Sequence, residues 1–383
     1  MKLIGNSSGA RISPSPADVS RAFDPRRLIQ ARRLSGLNKT ALAKELNVSP
    51  MAVGHWETGS NLPKADHVAA LASILDMPVA FFATGRPYTH VSEADAHFRS
   101  LRRTPARERK KATTFVEQMW ELTHALEKRV QLPEVDMPGF IDGEATPVDL
   151  DPAGAARMVR RAWGIGPGPI PRVVRTMEKH GIVVTLIPFA GDATATIDAF
   201  STSRLPRPVA ILTPERACDV FRHRFTAAHE LGHLVLHGEA SHGDVKLEKE
   251  ADEFAAEFLT PAIEITPRLP ARLNLQALDK LSKEWGVSIE SLIYRCRELG
   301  IISEAVYRRA FQRLNQLRKV ELFVRSPVEQ HPGEVPAMLQ SAYRLAQDHG
   351  LTLSELADEL AWKPARVRAL LGYTDQRPKL QLV

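Results

Sequence analysis

Residues 225–237 read FTAAHELGHLVLH, and within them His229, Glu230 and His233 stand in the pattern H-E-x-x-H. On a helix, residues four apart lie one turn apart on the same face. Both imidazoles can therefore reach one Zn²⁺, and Glu230 lies beside them, placed to act as general base toward a bound water. Thr226, Ala227 and Ala228 suit a helical first turn, and Leu231, Leu234, Val235 and Leu236 supply apolar anchoring. The plainer reading is a buried amphipathic helix that happens to carry histidines.

A catalytic zinc needs a third protein ligand and an open position. The metzincin arrangement is excluded, because Leu236 and Glu239 occupy the positions where that class has Gly and His. His237 lies two turns past His229, about 12 Å along a straight helix, too far to share one ion with it. It reads as a residue that supports the site or ends the helix. The better source of a ligand is a second amphipathic helix within residues 246–261, KLEKEADEFAAEFLTP, whose apolar stripe is Leu247, Ala251, Phe254, Ala255 and Phe258. Glu250 sits at the edge of that stripe, 17 residues past His233, and is expected to complete a His₂Glu site. Glu253 is the next candidate, while Glu248 and Glu257 are expected to face solvent.

These paired motifs resemble the ImmA/IrrE metallo-endopeptidase family. The resemblance rests on His229 to His233, on Glu250, Ala251, Asp252, Phe254, Ala255 and Ala256, and on Leu259, Thr260 and Pro261. It covers roughly residues 150–310, with Asp252 where the family commonly has Asn. It implies a minimal zincin fold, one zinc ion and the Glu before Ala as third ligand. It also implies cleavage of a very narrow set of proteins, typically repressors of the helix-turn-helix type. His₂Glu ligands discriminate poorly between metals, so Mn²⁺ stays open.

Residues 24–83 predict five short helices. Asn38 is placed to cap the second, Pro50 to open the third and Gly59 to stop it. With Trp56, Glu57, Thr58 and Gly59, the segment resembles an XRE-type helix-turn-helix domain. The resemblance implies that residues 50–58 enter the major groove. Met51, Ala52 and His55 would then meet base edges, with Lys39 on phosphate. Met51 and Ala52 cannot make bidentate hydrogen bonds to bases. A protein-binding module without an operator is the competing reading.

The 383 residues exceed one ordinary domain, and a net charge of +6 is compatible with a nucleic-acid partner without requiring one. Two cysteines, Cys218 and Cys296, form no metal spacing, which points to a reducing, cytoplasmic setting. No stretch reaches membrane-span length, and residues 1–20 read as a polar, flexible leader.

Residues 84–150 read as a helical connector and linker. It has a basic run at 99–111, an amphipathic helix at 115–129 and a proline-rich acidic stretch at 131–152 where the halves separate. Self-cleavage within 131–152 is a further expectation. Residues 151–325 form the peptidase-like domain, with strands expected at 181–188, 196–201 and 209–213. Such a sheet beside a metal cleft can hold an extended substrate by strand addition. Asp198 caps an edge at most, and Arg222, His223 and Arg224 read as surface basic residues. Residues 326–383 form a helical region whose 351–367 stretch echoes 37–53. It reads as a helical hairpin or a second helix-turn-helix-like unit, with Arg366 and Arg368 exposed.

The expected fold class is α+β, mostly α. It comprises a five-helix N-terminal domain, a minimal zincin-like α+β domain with a small sheet, and a helical C-terminal region. The expected function is a DNA-binding, zinc-dependent endopeptidase that regulates transcription by cutting a repressor. Its partners would be a double-stranded operator, the repressor-type substrate and, where it self-associates, a second copy in a homodimer. The alternative is a regulator whose peptidase-like half only senses a ligand or holds a dimer.

Overall fold

The computed structural model describes residues 13–92, 97–98, 105–141, 144–146, 148–186, 199–213, 219–238, 244–319 and 326–373. The expected α+β architecture, mostly α, is what it shows. Two compact units are built from interleaved stretches of chain.

The first unit holds Met1–His90, Lys110–Ala125 and Leu351–Val367. Its helices are α1 (Pro16–Arg21), α2 (Pro25–Leu34), α3 (Lys39–Glu45), α4 (Pro50–Thr58) and α5 (Ala65–Ile74). A 3-10 turn at Val79–Phe82 follows, and then the middle of α6 (Ala106–Glu127). Asn38 accepts the Ala41 N–H at 2.7 Å, so α3 starts where expected. Ser49 and Pro50 open α4, and Gly59, at φ +71°, closes it in the left-handed region that favours glycine. The stretch expected as a flexible leader contains α1, which a reciprocal Ser15–Asp18 capping box opens and a buried Val19 anchors. Residues 1–12 lie outside the described residues.

A buried polar network sits between α2 and α6. Arg27, fully buried, donates to Glu121 Oε1 at 2.5 Å, to Gln30 Oε1 at 2.8 Å and to the Pro87 carbonyl at 2.6 Å. Gln30 Nε2 donates in turn to Glu121 at 2.9 Å, and His90 Nδ1 lies 2.9 Å from Glu117. The basic run and the amphipathic segment after it thus join in one helix from Ala106. One face of that helix is polar yet buried, a pattern that hydrophobic periodicity does not detect.

The echo at the C-terminus forms α16 (Leu353–Leu360) and α17 (Pro364–Leu370). Arg366 is not exposed as expected: it donates to Gln118 Oε1 of α6 at 3.1 Å, and burial pulls its guanidinium down to about 10.

In the second unit, β1 (His97–Phe98) precedes a short hairpin of β2 (Phe140–Ile141) and β3 (Glu144–Ala145). Then come α7 (Pro152–Ala162), α8 (Val173–Lys179), β4 (Val183–Leu186), β5 (Ala199–Thr202) and β6 (Val209–Leu212). The order in the sheet is β1-β5-β6-β4; β4 and β6 run parallel, the other pairs antiparallel. All four residues of β5 and of β6 are buried. Asp198 lies outside the described residues.

Helix α9 (Val220–Leu236) packs against the sheet, and α10 (Val245–Leu259) packs on α9 and α7. They are followed by α11 (Ala262–Ile265), α12 (Leu275–Trp285), α13 (Ile289–Glu298), α14 (Glu304–Lys319) and α15 (Met338–Asp348). The stretch expected as a linker is anchored here instead. Met137 and Phe140 are buried in the core, and the Val148 N–H donates to the Val235 carbonyl at 3.2 Å.

His223 and Arg224 are buried rather than surface residues. Arg224 donates to the Gly286 and Ile170 carbonyls at 2.7 and 2.6 Å and pairs with Glu334. The Glu334 carboxylate also accepts the Val173 and Val174 N–H groups, and so ties the first turns of α8 and α9 together. Arg222 is exposed, as expected.

Removing one partner of a buried ion pair leaves an uncompensated charge, at a cost of about 3–5 kcal/mol. Glu121→Ala, which strands buried Arg27, is expected to lower the stability of the first unit by that amount in urea denaturation. A loss under about 1 kcal/mol would contradict the network's structural role.

Candidate functional site

Helix α9 presents the motif along its buried face. His229, Glu230 and His233 are all essentially inaccessible, and Gly232 lets α10 approach: a Cβ there would meet the Phe254 ring at 3.1 Å. That close approach brings the carboxylates of α10 over the imidazoles.

The carboxylate that reaches both imidazoles belongs to Glu248, not to Glu250. The ligating atoms of His229, His233 and Glu248 all lie within 4.8 Å of one another. Glu248 oxygens stand 3.5 Å from His229 Nε2 and 3.4 Å from His233 Nε2. Burial opposes charge on Glu248, yet with the two imidazoles protonated at Nε2 their hydrogen bonds and charge hold its carboxyl down at about 2. Glu250 instead contacts His237 Nε2 at 3.1 Å. Glu253 turns to Lys249, 3.8 Å away. Glu257, expected to face solvent, is buried on Arg157 and Arg295. A helix advances about 100° per residue. Glu248 and Asp252 therefore share one flank of α10, and Glu250 lies about 200° round from Glu248.

Asp252 Oδ1 stands 2.8 Å from His229 Nδ1. A carboxylate only accepts, so His229 carries its proton on Nδ1 and keeps a lone pair on Nε2. By the same reasoning His237 donates from Nε2 to Glu250. Its Nδ1 then accepts from His233 Nδ1 at 2.9 Å, which leaves the His233 Nε2 lone pair free to ligate. The two Nε2 atoms face each other at 3.1 Å. Two imidazole lone pairs and a carboxylate converging on one point are stable only with a cation among them, a proton or a metal ion. These donors fit zinc, and Asp252 and the His237–Glu250 pair fix the imidazole tautomers as outer partners of a metal site do.

Glu230 is contacted from the sheet. Its Oε2 accepts from the Ser201 hydroxyl of β5 at 2.7 Å. Ser201, Asp252 and Glu248 were not expected from the sequence. The i, i+4 spacing of Glu248 and Asp252 was a usable signal; nothing local marks Ser201.

The helix-turn-helix residues are placed as follows. Met51 is 69% exposed at the start of α4, His55 is exposed one turn on, and Ala52 is half-buried between them. Val53 and Trp56 face the core. Lys39 Nζ lies 3.2 Å from Glu57, which also binds Arg32 at 2.5 Å.

Zinc content after dialysis against a weak chelator separates the two carboxylates. Glu248→Gln is expected to lose the ion. Glu250→Gln is expected to keep it with affinity about 10–100-fold weaker, the usual cost of disturbing an outer partner. The reverse order would return the ligand role to Glu250.

Two family models match the chain: a helix-turn-helix model over residues 28–82 and an IrrE N-terminal-like domain model over residues 177–297. No curated protein gives a significant match. Among the described residues no helix is long and apolar enough to cross a membrane. The chain joins an XRE-type helix-turn-helix domain to a metallopeptidase-like domain similar to the IrrE N-terminal-like family.

Proposed function

We propose that this protein is a DNA-binding zinc endopeptidase that regulates transcription by cutting a repressor-type protein. The observation that carries the reading is the division of labour on α9. Its two histidines and Glu248 of α10 share one point, while Glu230, next to His229 in the chain, is hydrogen-bonded by Ser201. A structural metal site has no use for a separately oriented buried carboxylate.

His229, His233 and Glu248 would hold the ion, one per chain. When bound, zinc supplies Lewis-acid polarisation of a peptide carbonyl and acidifies water. Glu230 takes the proton from the attacking water and returns it to the departing amine. Ser201 keeps the carboxylate aimed while the proton comes and goes. Asp252 and His237 hold the two imidazoles in the tautomers that ligate. In the first unit, Met51, Ala52 and His55 would face base edges, and Lys39 a phosphate. Met51 and Ala52 suit contact with thymine methyl groups. A double-stranded operator, a repressor-type substrate and a homodimer on a two-fold operator are the partners this reading requires. A cytoplasmic location follows from it.

The test compares wild type with Glu230→Gln, both zinc-loaded, in two assays. In a cell lysate whose new protein N-termini are labelled, wild type is expected to generate a small set of termini. The Gln variant is expected to generate none while keeping its zinc. Both proteins are expected to select the same duplex from random DNA, since α4 is untouched. Equal cleavage by the variant would remove Glu230 as base. Duplex selection without cleavage by either protein would favour the regulator that only senses or dimerises.

A further inference from the structure

Apart from the metal ligands, the second unit holds a cavity of about 630 Å³, a size usual for a small-molecule site. Its walls come from the start of α8 and the residues before it, the first two turns of α9, the end of α12 and residues 330–334. None of His229, Glu230, His233 and Glu248 lines it. No Cys, Ser, Thr or Tyr is among its lining residues, so it offers no nucleophile and is suited to binding rather than turnover.

The charges on the lining can be followed one by one. Arg224 is paired with Glu334, and Glu284 with Arg268 at 2.7 Å. Arg175 lies 3.2 Å from Glu178, and Lys283 lies 2.7 Å from Asp279. His331 Nε2 stands 3.0 Å from the Ser326 hydroxyl. Arg172 is the cation left over: it is exposed and has no carboxylate partner among the described residues. Its stem lies against Gly333, where a Cβ would overlap it, so glycine at that position makes room for the arginine on the cavity wall.

The rest of the lining is of another kind. Ile170, Val220, Phe221 and Trp285 supply apolar surface. Trp285 is 2% exposed, and its indole N–H has no hydrogen-bond partner among the described residues. That group is a donor only, and a buried tryptophan ordinarily finds an acceptor. A ligand atom that accepts would satisfy it.

We propose that this cavity binds a small organic monoanion, a carboxylate carried on a flat apolar body. One unpaired guanidinium matches one carboxylate, which it can grip with two parallel hydrogen bonds. A dianion would find no second unpaired cation on the lining. Phe221 and Trp285 pack against the body of the ligand, and the Trp285 N–H gains an acceptor. The ligand would touch the first two turns of α9, while the histidines that meet Glu248 stand on its third and fourth turns. This site is separate from the metal and does not rest on the peptidase reading.

The experiment uses the full-length, zinc-loaded chain grown with 5-fluorotryptophan, whose five tryptophans give five fluorine resonances. Trp285→Phe assigns the one that matters; if it fails to fold, Phe replacements of Trp56, Trp120, Trp163 and Trp362 assign it by elimination. The probe is 2-naphthoate, with the neutral 2-naphthamide as its matched control. Naphthoate is expected to shift the Trp285 resonance saturably and to leave the other four in place. Arg172→Gln and, separately, the change from naphthoate to naphthamide are each expected to weaken binding at least about 10-fold, the loss of one charge-assisted pair. Lys283→Gln, whose ammonium already holds Asp279, is expected to stay within about 2-fold of wild type. No saturable Trp285 shift up to a few millimolar naphthoate would overturn the proposal. So would equal affinity for the amide, a test on the unaltered chain that needs no variant to fold. Neither result would touch the zinc and cleavage outcomes above.

Discussion

Everything in the peptidase-like unit depends on one electrostatic constraint. Two imidazole Nε2 atoms and the Glu248 carboxylate meet within a few ångströms in a buried place. Such a convergence of acceptors is unfavourable without a cation and strongly favourable with one. The surrounding fold keeps it in place. Gly232 admits Phe254, so α9 and α10 lie close enough for their side chains to share one point. Asp252 on one side and His237 with Glu250 on the other prevent either ring from turning away. Arg224 and Glu334 brace the start of α9 against α8 and the loop before α15, far from the chemistry yet on the same helix.

This arrangement explains why the site was partly legible in the sequence. The helical period alone placed His229 and His233 on one face, with Glu230 beside them, because that inference needs only 3.6 residues per turn. It also set His237 apart as a supporting residue. The third carboxylate depended on something local periodicity does not contain: which flank of α10 turns toward α9. Glu248 and Glu250 flank the same apolar stripe on opposite sides, and only the packing of two helices chooses between them. Ser201 reaches Glu230 across 29 residues of chain and a change from strand to helix, so no spacing rule announces it.

Buried charge was the other blind spot. Arg27, Glu121, Arg224 and Glu257 are all polar residues that patterning assigns to solvent, and all are buried with partners. In the first unit this turns the helix-turn-helix bundle into more than its apolar core. Helix α2 is tied to α6 by ionic and amide contacts, which cost heavily if half is removed. The ends of α3 and α4, in contrast, were readable residue by residue, since Asn38, Pro50 and Gly59 act through their own backbone neighbours.

The most direct test of the central claim is anomalous diffraction at the zinc edge from crystals of the full chain grown with one equivalent of zinc. A single strong peak is expected within about 2.0–2.2 Å of His229 Nε2, His233 Nε2 and a Glu248 oxygen. A peak between His237 and Glu250, or none in a crystal whose protein otherwise folds as described, would contradict it.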